Sequence, residues 1–313
     1  MTLKKISFFS INIVLAAIFL LSAWFKLFPI EPFEYKIVGT TFFGWVSSVF
    51  VARIVISLEL FLALMLLLSV NLKTTLKLSL FILAIFTIHL TVDLILNGNQ
   101  SDCGCMGSLM SFTPIQGIIK NLIMIAGVSV LLINYEQLFK FKFKLEYFSF
   151  YILLISGIAV FASNPVELTY SEKYLNKPFE GFKLDLDTLY NTVYGEKIEQ
   201  PSMDVRDKKL ILGFLSASCP HCKIAAQKIS VIKRRNPNLP FYFFINGDQK
   251  DIEKFLTVTE TENIPHSRLN GHLFVQLAGL HLPIIYYYSK GFIDKQVDYY
   301  TLEQYHIEKW YKN

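Results

Sequence analysis

The chain has 313 residues but only four cysteines, which fall in two close pairs. Cys103-Gly-Cys105 lies between two hydrophobic stretches, and Cys219-Pro-His-Cys222 lies between a run of strand length and a run with helical periodicity. Two close pairs with no spare thiol fit dithiols that exchange electrons better than disulfides placed to staple a fold. The chemistry this points to is thiol–disulfide exchange. A cysteine at the start of a helix has its thiolate stabilised by unpaired backbone N–H groups and the helix dipole, and a second cysteine one turn on can resolve a mixed disulfide. Cys219 is therefore expected to be the nucleophile and Cys222 the resolver, with a structural disulfide or half of a zinc site as the plainer alternative. His221 between them either donates to the thiolate and favours the reduced form, or is simply a solvated side chain. A Cys103–Cys105 disulfide would close a very small ring with awkward torsions and be easy to reduce, and Gly104 permits the tight backbone this needs. A zinc site shared by the four cysteines is a further alternative, for which C-x-C spacing is unusual.

The rest of the chain must hold these pairs on one side of a membrane. A hydrophobic fraction of 53% with 28 Phe, and a mean hydropathy of +0.41, are too apolar for an ordinary soluble chain. The excess sits in the first half, in runs at about 6–28, 46–70, 75–96, 114–133 and 147–163, each near the roughly 17 to 25 residues that cross a bilayer as a helix. The first run follows Lys4 and Lys5 like a signal peptide, but it lacks a small-residue cleavage site before the Pro-rich FPIEPFEY and is expected to be retained. Lys4 and Lys5, Lys73 and Lys77, and Lys140, Lys142 and Lys144 mark the cytoplasmic loops, whereas 97–113 has no basic residue and is expected outside. Five crossings from a cytoplasmic N-terminus then put 164–313 outside as well, where disulfide chemistry is permitted. The net charge of +5 has this membrane explanation and gives no reason to invoke nucleic acid.

Beyond residue 163 the composition turns polar, as in a linker. KLILGFLSAS then reads as a strand, CPHCKIAAQKISVIKRR as a helix with a basic last turn, PFYFFING as a strand and DIEKFLTVTETENI as a helix. LPIIYYYSKGFIDKQ reads as a hairpin turning at Lys290-Gly291, and TLEQYHIEKWYK as a closing helix.

That element order, with Cys219-Pro220-His221-Cys222 at the helix start, resembles the thioredoxin superfamily over residues 206–313. Pro283 in Leu282-Pro283-Ile284 stands at the place of its cis-proline, an ordinary trans-proline at a strand start being the alternative. Pro220-His221 is the dipeptide of DsbA-like oxidants. Residues 1 to about 135 resemble the MauE/DoxX family of redox-associated membrane proteins, on Ser22-Ala23-Trp24-Phe25-Lys26-Leu27, Glu59 and Asp102-Cys103-Gly104-Cys105-Met106-Gly107. The family usually has Gly at the place of Ala23 and often Phe at that of Met106. Together with the apolar runs and loop charges, the two resemblances give an α-helical membrane bundle of four core helices at 1–135, a cytoplasmic loop and fifth linking helix at 136–163, an extracytoplasmic linker at 164–205, and an α/β thioredoxin-like domain at 206–313.

The apolar runs also carry ionisable residues: Arg53 and Glu59 in the second, His89 and Asp93 in the third, Lys120 in the fourth. Charges in a membrane usually face a bundle interior or a cavity. Arg53, Glu59, His89 and Lys120 are candidates for a polar pocket that tunes the Cys103/Cys105 pair or takes a quinone head group, while structural ion pairs and snorkelling side chains are the plain reading. Lys26 and Asp93, near span ends, are weaker candidates. The expected function is an inner-membrane thiol–disulfide oxidoreductase that draws electrons from extracytoplasmic client proteins with cysteine pairs. They would pass through Cys219/Cys222 and Cys103/Cys105 to a membrane acceptor such as quinone, with no tightly bound cofactor or metal. A reductant conduit running the other way, and a non-enzymatic assembly factor of MauE type, are the alternatives.

Overall fold

A computed structural model describes residues 3–99, 112–134, 145–166, 181–190, 200–279 and 281–312. The chain divides into two compact units, Met1–Glu167 and Leu168–Asn313. Cys103 and Cys105 lie outside the described residues.

In the first unit the apolar runs become helices α1 (Leu3–Leu27), α3 (Trp45–Leu67), α4 (Leu72–Asn97), α5 (Pro114–Ile133) and α6 (Leu145–Ser163), with ends within three residues of those read from sequence. Ile6–Leu27, Trp45–Leu67, Leu72–Leu96 and Pro114–Ile133 are long and apolar enough to span a bilayer, and Tyr147–Ser163 is shorter. A helix satisfies every interior backbone group within the segment, which apolar surroundings demand. The ends have local causes. Thr113 and Gln116 form a reciprocal capping box at the start of α5, with Pro114 in the first turn, where a missing N–H costs nothing. Ser69 and Asn71, both with positive φ, turn the chain between α3 and α4.

The sequence reading assigned no element to α2 (Glu31–Thr40), a ten-residue helix whose FPIEPFEY start carries two prolines. Pro32 sits in the first turn of α2, the one part of a helix that tolerates it. α2 packs against α3 and α4, and α3 is central, touching α1, α2, α4 and α6. Phe19, Leu62, Leu66, Leu76, Val128 and Leu131 form its apolar core. Asn164, just beyond α6, donates through Nδ2 to the Leu27 carbonyl at 3.2 Å, so the C-terminal ends of α1 and α6 lie together. Arg53 reinforces that end, donating from Nε to the Asn164 carbonyl at 2.8 Å and from Nη2 to the Pro165 carbonyl at 3.1 Å.

The second unit is a five-stranded sheet of order β3-β2-β1-β4-β5, from β1 (Lys209–Ser216), β2 (Phe241–Asn246), β3 (His266–Arg268), β4 (Ile284–Ser289) and β5 (Phe292–Val297). β1 pairs in parallel with β2 and antiparallel with β4, and β2 with β3 in parallel. Helices α7 (Pro220–Arg235), α8 (Gln249–Thr259), α9 (Gly271–Ala278) and α10 (Gln304–Lys312) complete a thioredoxin-like fold. β1 is buried on both faces, which is why LILGFL reads as one apolar run rather than alternating. Lys290 and Gly291, at φ 47° and 95°, make the two-residue turn expected between β4 and β5. α8 stops at Thr259, short of the expected Ile264, because Glu260 adopts the left-handed conformation. β3 and α9 escaped the sequence reading, being three and eight residues long. Part of the polar stretch also joins this sheet: Lys183 bridges Phe292, and Leu184, Leu186 and Leu189 enter the core.

At the centre of β1, a Cβ on Gly213 would meet Phe243 Cδ1 at 2.9 Å. Phe243 is fully buried and has no room to retreat. Gly213→Val is expected to destabilise this unit by about 1–3 kcal/mol, as overpacking of cores does. The loss should register as earlier exposure of the buried Cys222 to a thiol reagent in a urea series on the full-length protein.

Candidate functional site

β1 ends at Ser216, and after two intervening residues the chain enters α7 through Cys219, whose φ of −83° and ψ of 121° are those of a helix N-cap. Pro220 opens the helix at a position that needs no N–H. The first N–H groups of a helix have no intrahelical acceptor, and here sulfur supplies one: Cys222 N–H donates to Cys219 Sγ at 3.4 Å. Cys222 Sγ, fully buried, accepts in turn from the Ser216 N–H at 3.3 Å. Cys219 is half-buried, and both cysteines are free thiols.

This arrangement splits the two acidities. The Cys222 thiol donating to the Cys219 sulfur is the largest influence lowering the Cys219 pKa; the backbone N–H groups of Cys222 and His221 and the charge of His221 add to it, and together they outweigh partial burial to bring it to about 6. The same shared hydrogen bond, followed by burial, pushes the Cys222 thiol far above its ordinary value. At neutral pH Cys219 is therefore mainly thiolate and Cys222 holds its proton. A nucleophile at the surface with a protonated thiol behind it is the arrangement for attack on a disulfide followed by internal resolution.

His221 is exposed, its ring stacked on Tyr299 with centroids 6.0 Å apart and planes at 29°. Tyr299 packs on Tyr300 at 3.9 Å. Lys228, buried on α7, donates to the Tyr299 carbonyl at 2.7 Å and so ties the tyrosine segment to the active-site helix. Tyr299, Tyr300 and Lys228 were not singled out from sequence. The Leu282–Pro283 bond is cis. Continuing the β1–β4 register by one step sets Pro283 beside Leu215, at the end of β1 that leads to Cys219.

In the membrane-type unit the ionisable residues are mostly paired. Lys26 Nζ and Glu59 Oε1 are 2.5 Å apart, Arg53 Nη1 and Glu34 Oε1 are 2.5 Å apart, and Lys36 reaches Asp93 at 3.0 Å. Glu34 and Lys36 come from α2 and so escaped the sequence reading with it. His89 and Lys120 line a cavity of about 180 Å³ together with Lys26, Asn121 and apolar residues of α2, α3 and α4. Arg53 and Glu59 do not line it; they lie in the ion pairs just given. Among the described residues no group of three or more His, Cys, Asp or Glu could hold a metal ion.

Residues 4–134 match the family model of methylamine utilisation protein MauE. This MauE-type region takes in α1 to α5 and the segment bearing Cys103 and Cys105. Over 301 residues the chain is 27% identical to Protein TlpB of Flavobacterium psychrophilum, covering 81% of this chain and 80% of that protein. Among solved structures, a secreted Mycobacterium tuberculosis disulfide oxidoreductase homologous to E. coli DsbE matches with 17% identity and a TM-score of 0.29, covering 34% of this chain and 81% of its own. The chain is thus that of a multi-pass membrane protein in which a region matching the MauE model is followed by an α/β unit that carries the Cys219/Cys222 dithiol.

The lowered acidity of Cys219 makes a prediction with a definite sign. The thiolate is favoured in the folded reduced protein, so its stabilisation is present above the ordinary thiol range and is lost as pH falls through about 6. Alkylation of Cys219 by iodoacetamide should rise with a midpoint near that pH, and Cys222→Ala should move the midpoint upward by removing the thiol donor. An unchanged midpoint in Cys222→Ala would show that the backbone N–H groups alone set it.

Proposed function

We propose that the protein is a thiol–disulfide oxidase of the inner membrane, drawing electrons from cysteine pairs of extracytoplasmic clients. The observation that carries this reading is the half-buried Cys219 thiolate at the N-terminus of α7 with the protonated, buried Cys222 behind it. In the oxidising step a client thiolate attacks the Cys219–Cys222 disulfide at Cys219 and displaces Cys222. The second client thiol then attacks the mixed disulfide. The client gains a disulfide, and Cys219 and Cys222 leave as a dithiol carrying two electrons and two protons. Those pass by the same exchange to a Cys103–Cys105 disulfide, and from there to a membrane-soluble acceptor of the quinone class. A stabilised Cys219 thiolate favours the reduced form of its pair, which makes that pair oxidising.

The orientation that this relay needs has support in the first unit. α1 leaves the cytoplasmic side after Lys4 and Lys5, and its C-terminal end meets that of α6 through Asn164 and Leu27. α6, at 19 residues, is about 28 Å long at 1.5 Å per residue, close to the roughly 30 Å of the hydrocarbon core. Its meeting with the end of α1 favours a fifth crossing, with the thioredoxin-like unit and the α4–α5 segment on the outer face.

Three measurements test the reading. Cys222→Ser should accumulate mixed disulfides between Cys219 and client proteins and Cys219→Ser should abolish them; equal trapping by both would overturn the assignment of nucleophile and resolver. The reduction potential of Cys219/Cys222 in the Cys103→Ser/Cys105→Ser protein should lie well above the value of about −270 mV typical of thioredoxin. A value as low as that turns the reading into the reductant conduit. A membrane-impermeant maleimide should reach both reduced pairs from the same outer side.

A further inference from the structure

Inside the membrane-type unit, six of the charged side chains cancel as Lys26–Glu59, Lys36–Asp93 and Arg53–Glu34. Lys120 is different. Among the described residues it has no hydrogen-bond or ion-pair partner, and it lines the cavity of about 180 Å³. The cavity is mostly apolar, with Phe33, Val55 and Phe86 among its walls, and a second nitrogen donor, His89, lines it together with Asn121 and the paired Lys26. An ammonium in such surroundings is costly unless an acceptor or a counter-charge meets it. Cavities of about 150 Å³ accept a benzene-sized ring, so this one has room for a single substituted ring. Lys120 is six residues into α5 and His89 eight residues from the end of α4, each therefore within about 12 Å of the helix ends that the Cys103 and Cys105 segment joins.

We propose that this cavity binds the ring of a membrane quinone, with Lys120 donating to a ring oxygen and His89 as a second donor. The inference rests on the proposed oxidase reading and supplies its electron acceptor. The chemistry required is an apolar body that arrives from lipid and carries oxygen acceptors on a flat ring. Two electrons and two protons from one dithiol convert a quinone to a hydroquinone and leave one disulfide, so the step balances. The ammonium of Lys120 faces the oxygen that gains electron density, and a fixed cation at that place favours the transfer. An anionic lipid head group shares the oxygen acceptors but has no ring to fill the space beside Phe33 and Phe86.

The test uses the full-length protein in nanodiscs of zwitterionic lipid, titrated with a short-chain benzoquinone by calorimetry. Lys120→Met should weaken binding at least tenfold, and Lys120→Arg should restore most of it. Val55→Phe, which fills the cavity from α3 and keeps every charge, should weaken binding to a similar extent. Exchange of Cys219 with a small aromatic disulfide should be unchanged in all three variants. Quinone affinity unchanged in Lys120→Met or Val55→Phe overturns the site. So does loss of co-purifying anionic lipid in Lys120→Met with quinone affinity intact, which assigns Lys120 to lipid. Failure of the wild type to bind quinone while Cys219 exchanges normally overturns the acceptor site alone; failure of Cys219 exchange in the wild type overturns the oxidase reading itself.

Discussion

The hydrogen bond from the Cys222 N–H to the Cys219 sulfur fixes the active end of the thioredoxin-like unit. It makes a cysteine the N-cap of α7, and a cap must stand where the chain stops being extended and starts being helical. Once that place is set, β1 must end at Ser216, whose N–H turns back to the buried Cys222 sulfur. Pro220 must follow the cap, at a position that does not need its missing N–H. The separation of the two thiols in acidity then follows mainly from the hydrogen bond they share and from burial, to which the charge of His221 adds. One sulfur sits where donors converge, and the other sits in the core, where a negative charge is unfavourable.

The membrane-type unit obeys the same rule with ions in place of thiols. Charge in apolar surroundings is tolerated when matched, and α2 is the element that does most of the matching. This short helix supplies Glu34 to Arg53 of α3 and Lys36 to Asp93 of α4. Arg53 uses its remaining donors on the carbonyls of Asn164 and Pro165, so a single guanidinium serves α2, α3 and the end of α6. Breaking one partner of such a pair leaves a buried charge uncompensated, which costs more than the pair contributes. The pairs are thus best understood as fixing which helices meet and in what register, and only weakly as a source of stability.

The matching is incomplete at one place in each unit. In the thioredoxin-like unit the exposed end of the hydrogen-bond chain is the Cys219 sulfur, and around it lie His221, stacked on Tyr299, and the end of β1 opposite Pro283. In the membrane-type unit, among the described residues, Lys120 lines a cavity without an ion-pair partner of its own. In both units the surrounding frame is held by contacts of other residues: the strand and helix core around Cys219, and the ion pairs of α1, α2, α3 and α4 around the cavity.

The sequence by itself determined what depends on neighbours along the chain. The apolar runs gave the spanning helices because length and composition suffice for that, and Lys290-Gly291 gave the hairpin because the turn needs positive φ at two adjacent residues. Cys219-Pro-His-Cys222 gave the redox centre because strand, cap and first turn are contiguous. Tertiary structure decided the rest. α2 was not read because it is short and mixed in polarity, with Pro32 in its first turn, and with it went Glu34 and Lys36. The sequence grouped Arg53, Glu59, His89 and Lys120 as one polar pocket, but folding set the first two in ion pairs and left the last two on the cavity, since partners from other helices carry no local signal. The contact of Tyr299 with His221 is of the same kind: it joins residues far apart in sequence, and only the closing of the sheet brings the segment after β5 against the start of α7.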